Sequence, residues 1–294
     1  MKRSTLLLAA VIVALVVGTC AVPTLAAAWQ PSTSETALPQ EATHYVRYRT
    51  GGQTSYGILE GETVHRLDGD LFGSPSRTGE SFAVADVELL APVVPSKVIA
   101  VGLNYRSHIG NAQPAEYPGL FAKYPTSIVG PGADIVIPPD ASNVHYEGEL
   151  VVVIGRTAKD VSEDEASDYI FGVTAGNDVS ERDWQRDDLQ WLRAKGADTF
   201  GPIGPSIVTG LDYNDLHVET RLNGEVRQAE SSADLIFDVD HIVSYVSRYI
   251  TLEPGDLIFT GTPGSTRAMQ PGDVVEIEVQ GVGVLSNTVV AAGQ

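Results

Sequence analysis

The chain has 294 residues with 19 Lys+Arg against 38 Asp+Glu, a formal charge of −19 at pH 7. Its length supports a sizeable core in one or two domains. The charge excludes nucleic acid as a partner, because phosphate binding needs clustered Lys and Arg, and it excludes an anionic membrane surface for the same reason. The single cysteine, Cys20, lies in the leader, so disulfides, thiolate metal sites and a cysteine nucleophile are not expected.

Residues 1–28 read as a signal peptide. Lys2 and Arg3 form a positive start, Leu6 to Val17 is a short apolar stretch, and Ala26-Ala27-Ala28 offers a small-residue cleavage site. The expected location is therefore the periplasm or the exterior. A membrane contact arises only if the apolar segment, which can be extended to Leu25, is retained as an anchor. Val17-Gly18-Thr19-Cys20 is a further, lipoprotein-like alternative. Residues 29–42 are polar and aperiodic and read as a linker.

Residues 43–92 read as a small β-rich N-terminal domain. Tyr45 to Thr50 alternates, and Tyr56 to Leu59 follows beyond Gly51-Gly52, which is hairpin grammar. A main domain over 95–294 opens on the apolar strand Lys97-Val98-Ile99-Ala100-Val101. Pro-Gly turns recur at Pro131, Pro254 and Pro271, and Asn223-Gly224 is a type I′ hairpin signal. Helices are fewer. Ser162-x-x-Glu165 is a capping box for a helix to about Tyr169, and Ser180-x-x-Asp183 opens another. Ile242, Val243, Val246, Tyr249 and Ile250 share one helical face. The count predicts a β-dominated α+β fold.

Glu147 and Glu149 are the most informative pair. They lead into Leu150-Val151-Val152-Val153-Ile154, which reads as a strand buried on both faces. Residues i and i+2 of a strand share a face, so both carboxylates project together from a buried strand end. Like charges there are costly to desolvate, and a divalent cation would hold them, unless the strand end is simply wet. Glu276 and Glu278 are the control: they alternate with Val275, Ile277 and Val279, the pattern of a strand with one solvated face. Asp178 ends the strand Phe171-Gly172-Val173-Thr174-Ala175-Gly176-Asn177 and adds a third carboxylate, although turn or cap duty also explains it. Three carboxylates without a thiolate suit Mg²⁺ or Mn²⁺, with Ca²⁺ also admitted. Arg182 and Lys195 are candidates to neutralise an anionic substrate.

Several segments are similar in order and sequence to one family: Val101-Gly102-Leu103-Asn104-Tyr105-x-x-His108, Phe121-Ala122-Lys123, Val129-Gly130-Pro131-Gly132, His145-Tyr146-Glu147-Gly148-Glu149-Leu150, Gly176-Asn177-Asp178-Val179-Ser180-x-Arg182-Asp183, Lys195-Gly196-x-Asp198-Thr199-Phe200-Gly201-Pro202 and Phe259-Thr260-Gly261-Thr262-Pro263-Gly264. Over about residues 95–290 the chain resembles the fumarylacetoacetate hydrolase family. The resemblance implies a mixed β-sandwich roll, a homodimer, and a divalent ion on Glu147, Glu149 and Asp178. It places Lys195 and Thr262 at the substrate's carboxylate, with Lys123, Arg182 and Gln185 as further substrate-binding residues. It implies cleavage, isomerisation, decarboxylation or tautomerisation of 2-oxo acids, in which the ion acts as a Lewis acid and His108 as the base, with His145 second. One position departs: the glutamate that orients the histidine in hydrolytic members is Asn111 here, with Glu116 nearby. That departure weakens water-activated hydrolysis and favours tautomerisation or isomerisation. It also raises a rival expectation, a non-catalytic binder of 2-oxo acids.

Overall fold

The computed structural model describes residues 42–293. The leader and nearly all of the linker expected at 1–42 fall outside the described residues. The N-terminal strands are β1 (Thr43–Thr50), β2 (Gln53–Glu60), β3 (Thr63–Asp68), β4 (Ser76–Ala83) and β5 (Glu88–Leu90). The strands that follow are β6 (Val98–Gly102), β7 (Gly119–Lys123), β8 (Ile128–Val129), β9 (Ile135–Ile137), β10 (Val144–His145), β11 (Gly148–Ile154), β12 (Ile170–Asn177), β13 (Ser180–Glu181) and β14 (Gly201–Thr209). The last five are β15 (His217–Leu222), β16 (Glu225–Ser231), β17 (Leu257–Phe259), β18 (Val274–Val279) and β19 (Gly283–Ala291). Helices are short: α1 (Arg106–Ile109), α2 (Arg182–Asp187), α3 (Leu192–Gly196) and α4 (Val239–Tyr249). None is long and apolar enough to cross a membrane.

Among the described residues a 12-stranded sheet runs β4-β3-β2-β1-β14-β12-β11-β17-β6-β7, with β5 on β1 and β8 on β14. A 5-stranded sheet, β16-β15-β18-β19-β9, packs against it. The two sheets enclose the main core, where Leu150, Val152 and Ile154 of β11 meet Val218, Ile277 and Leu285. The other face of β11 packs Val151 and Val153 against Ile203, Ile207 and Phe259. All seven residues of β11 are buried, as expected of an apolar run covered on both sides. The α+β, β-dominated sandwich expected from the sequence is the fold observed.

The N-terminal strands are part of the large sheet. β1 pairs with β14 at Thr43↔Thr209 and Tyr45↔Ile207, and with β2 through the Gly51-Gly52 turn. Both glycines have positive φ, +54° and +80°, the conformation a type I′ turn demands. Asn223 and Gly224 close the β15–β16 hairpin in the same way, at φ +55° and +77°.

Two helix expectations need correction. Ser162 and Glu165 do interact, with the hydroxyl donating to the carboxylate at 2.6 Å, but they open a tight 3-10 turn over Glu163–Tyr169 instead of an α-helix. Ser180 does not cap α2. Glu181 does, accepting from the Trp184 N–H at 2.6 Å, because the Ser180 hydroxyl is used inside the site. In α4, Ile242, Val243 and Val246 are buried as expected, whereas Tyr249 is 67 % exposed.

Gly148 is a close-approach position. A Cβ there would lie 2.0 Å from Thr220 Oγ1 on the opposing sheet. Gly148→Ala is expected to lose about 1–3 kcal/mol of stability by overpacking. Adding Thr220→Ala should recover part of that loss, since this buried hydroxyl has no hydrogen-bond partner to forfeit. Urea denaturation of the single and double variants checks both.

Candidate active site

Register builds the site. In the antiparallel β11–β12 pair, Gly148 faces Asn177 and Glu149 faces Gly176, which sets Asp178 beside Glu147 just past the paired region. The Asp178 N–H donates to Glu147 O at 2.8 Å, and the Glu147 N–H donates to Asn177 Oδ1 at 2.9 Å. Glu147, Glu149 and Asp178 are all buried, and each presents an oxygen within 4.8 Å of the others.

Three cations sit against these acids. Lys195, from the last turn of α3, reaches both Glu147 Oε2 and Asp178 Oδ2, the latter at 2.6 Å. Arg182 Nη2 donates to Glu147 Oε1 at 2.5 Å and to Thr266 Oγ1 at 2.9 Å, and its Nη1 donates to Gln185 at 2.8 Å. Lys123 donates to Asp178 Oδ1 at 2.6 Å and to the Lys195 carbonyl. Formally, three carboxylates balance three cations.

The electrostatics differ sharply among the acids. Burial alone would push the Glu147 carboxyl up, but Lys195 and Arg182 more than offset it and hold it well below the usual range. Glu149 goes the other way. Burial raises it, Asp178 and Glu147 add to the rise, and the Gly261 N–H, 2.8 Å from Oε2, and the charge of Lys195 offset only part of it. Burial opposes the charge on Lys195, yet Asp178 and Glu147 raise its pKa overall. For Lys123 burial wins, and its pKa is lowered.

A buried glutamate without a cationic partner, beside two more carboxylates and no sulfur, is what a hard divalent cation neutralises. The residues present fit such an ion. Glu147, Glu149 and Asp178 would hold it, and the cluster would then carry a net charge of about +2, suited to an anionic substrate.

The acids face a cavity of about 30 Å³, also lined by His108, Arg182, Gln185, Lys195 and Thr262. His108 Nδ1 lies 2.7 Å from the Gly264 carbonyl, which can only accept. That contact places the proton of the neutral ring on Nδ1 and leaves Nε2 with its lone pair, 3.9 Å from Glu147 Oε1. Thr262 is fixed by donating to Gly148 O at 2.9 Å and accepting from Gln228 at 2.8 Å. His145 sits outside the cavity with both ring nitrogens engaged, on Thr266 and Asn143 at 2.8 Å each, and burial lowers its pKa to about 4.

Lys123 does not line the cavity. Its ammonium is buried behind Asp178, where it orients that carboxylate, a different place from the substrate-facing one expected of it. Glu116 is exposed and accepts from Tyr117, so it does not replace the missing glutamate beside His108. Four supporting residues had no site role assigned from the sequence, although Asn177, Ser180 and Gly261 fall within the segments that resemble the family. Ser180 donates to Glu147 at 3.0 Å, Asn177 holds the Glu147 backbone, Gln228 anchors Thr262, and the Gly261 N–H caps Glu149.

Fold and site together define an enzyme that gathers acids and bases at one mouth of a β-sandwich. Residues 97–290 match the fumarylacetoacetate hydrolase C-terminal family, and residues 43–92 match an N-terminal family named for the Mycobacterium tuberculosis protein Rv2993c. The chain belongs to the fumarylacetoacetate hydrolase family. Protein Rv2993c itself is 50 % identical over 229 residues, covering 76 % of this chain and 86 % of its own. Oxaloacetate tautomerase Fahd2a of Rattus norvegicus is 40 % identical over 220 residues, 70 % of each chain. The crystal structure of 2-hydroxyhepta-2,4-diene-1,7-dioate isomerase from Mycobacterium marinum superimposes with a TM-score of 0.80 at 45 % identity, covering 86 % of this chain and all of the other. A maleylpyruvate hydrolase from Sphingobium, solved in complex with manganese(II) and pyruvate, matches at a TM-score of 0.70 and 26 % identity over 85 % of this chain and all of the other. Membership with named enzymes makes this protein an enzyme and sets aside the expectation of a non-catalytic binder.

Proposed function

We propose that the protein is a divalent-cation-dependent enzyme that moves a proton on small 2-oxo acids, as a tautomerase or isomerase. Mg²⁺ or Mn²⁺ is the expected ion, with Ca²⁺ also compatible with an all-oxygen site. The observation that carries this reading is His108 Nε2 facing a buried Glu–Glu–Asp set with its other nitrogen on a backbone carbonyl.

A cation held by Glu147, Glu149 and Asp178 supplies Lewis acidity toward the keto and carboxylate oxygens of a 2-oxo acid. Lys195 and Thr262 border the same space and favour the substrate's carboxylate end. His108 Nε2 takes the proton from C3. The electron pair left behind forms the C2–C3 double bond, and His108 returns its proton to the oxygen on C2, giving the enol and restoring the neutral ring. The reverse sequence returns the keto acid. Both reactions put a proton, and with it a positive charge, on His108; hydrolysis asks more, because the histidine must also orient a water and activate it for attack. The Gly264 carbonyl orients the ring without neutralising that charge, and Asn111 is an exposed amide. The tautomerase and isomerase names among the relatives agree with this reading. The same proposal includes a homodimer, and export directed by Lys2-Arg3 and the apolar stretch from Leu6.

The test is to strip the protein with EDTA and follow the enol absorbance of oxaloacetate and of acylpyruvates, with pyruvate release measured in parallel. Turnover restored by Mg²⁺ or Mn²⁺ is expected, with enol–keto exchange faster than pyruvate release. No cation-restored turnover on any of these acids overturns the reading; dominant pyruvate release moves it to hydrolysis for the acylpyruvates and to decarboxylation for oxaloacetate.

A further inference from the structure

The inner cavity, about 30 Å³, has room for little beyond a water or two, so a substrate whose head reaches the acids must extend outward. Beside it lies a second hollow of about 260 Å³. The two share a wall: Gly102, Leu103 and Trp191 line both. The rest of the hollow is built by Gly119, Leu120 and Phe121 of β7 and by Leu189 and Gln190, so no charged side chain lines it. We infer that this hollow holds the distal end of the substrate, and that the end is an uncharged apolar tail, so that the preferred 2-oxo acids are acylpyruvates with alkyl or aryl tails.

Several independent features point there. Leu189, 96 % exposed, lines the hollow, and Leu103, 56 % exposed, lines both it and the inner cavity; apolar surface in such a place marks a ligand site. Leu103 adopts φ +60°, a conformation that non-glycine residues seldom take, at the junction of cavity and hollow. Trp191 packs edge-on to Phe121, with ring centroids 5.5 Å apart, and the Phe121 ring also faces Lys195 Nζ at 4.9 Å, so one aromatic ring borders both the charged head site and the apolar hollow. Gly102 keeps the floor open, since a Cβ there would approach the Trp191 ring to 3.3 Å. None of the residues lining the hollow offers a terminal carboxylate a charged partner; Lys195 and Arg182 both lie on the inner cavity, at the head of the substrate.

The inference rests on the 2-oxo acid reading, and its test separates the two. The probes are 2,4-dioxo acids sharing one head and differing in tail (acetyl, butanoyl, hexanoyl, benzoyl), with oxaloacetate as the charged comparator. Calorimetric binding to the Mn²⁺-loaded protein is measured alongside kcat/KM. The expected result is a gain of about three- to fourfold in affinity and in kcat/KM for each methylene buried, until the hollow is full. Gly119→Leu places a side chain in the hollow where its Cβ meets only the Gly102 carbonyl, at 3.6 Å. It should lower the hexanoyl-to-acetyl ratio tenfold or more. Leu189→Arg, at a surface position that does not endanger folding, should shift the ratio toward oxaloacetate. Equal constants across the tails, oxaloacetate outperforming every apolar tail in the parent protein, or tail gains that survive both variants would overturn the inference. So would a change confined to oligomeric state in Leu189→Arg, which would assign the hollow to a second copy of the chain. If no acid is turned over, the functional reading fails, and calorimetric tail dependence still decides this one.

Discussion

Glu149→Gln is expected to cut Mn²⁺ affinity by about two orders of magnitude or more while making the cation-free protein more stable. The first effect follows from ligand charge: a hard cation loses one of three carboxylates and meets a neutral amide in its place. The second follows from the poorly compensated burial of Glu149, whose only hydrogen-bond partner among the described residues is the Gly261 N–H. Because the folded protein holds the Glu149 proton more tightly than the unfolded chain does, this group favours folding below the ordinary glutamate pKa. That contribution is lost as pH rises through the elevated folded value. Cation-free wild type should therefore lose stability as pH climbs above the usual carboxylate range, and the Gln variant should lose less. Glu147 acts oppositely: its lowered pKa stabilises the fold above the ordinary value and fails only on acidification. Isothermal titration with Mn²⁺ and urea denaturation in EDTA across pH measure both effects. Wild-type Mn²⁺ affinity in the variant would show that the ligand assignment is wrong.

His108→Ala should lower kcat by about 10²–10⁴ with Mn²⁺ affinity nearly unchanged. His108 Nε2 lies 3.9 Å from Glu147 Oε1, near enough to reach a substrate atom held beside the acid cluster. A cation-binding role would instead reduce activity and affinity together. Steady-state kinetics at saturating Mn²⁺, paired with calorimetry, distinguish the two, and a rate within threefold of wild type would remove His108 from the mechanism.

The acids were legible because their signal is local. The period of two along Glu147-Gly148-Glu149, followed by five apolar residues, encodes both the shared face and the burial. The contrasting reading of Glu276 and Glu278 was equally local, and both turn out half-exposed beside Arg221 of the neighbouring strand, at 3.2 and 2.7 Å. Lys123 was misplaced because its role depends on which strand end meets which loop, a fact of tertiary packing that no spacing reveals. Ser180 misled for a related reason. Its sequence context is that of a helix cap, but Glu147 lies across the sheet and takes the hydroxyl, so Glu181 caps in its stead. The apolar hollow was invisible because β7 and the α2–α3 connection, roughly 70 residues apart in sequence, meet only in the folded chain.

The pairing of β1 with β14 constrains how the molecule is made. One edge of β1 is shared between two partners, β14 along Thr43–Tyr45 and β5 along Arg47–Arg49. β5 is nearby in sequence, but β14 emerges from the ribosome some 160 residues after β1. Until then the leading hairpins present an unfinished border open to wrong neighbours, and the β12 flank of the catalytic half lacks its seal on the other side. The two segments thus mature together, and transplanting the leading segment between relatives should succeed only where the stitch at Thr43–Tyr45 is reproduced.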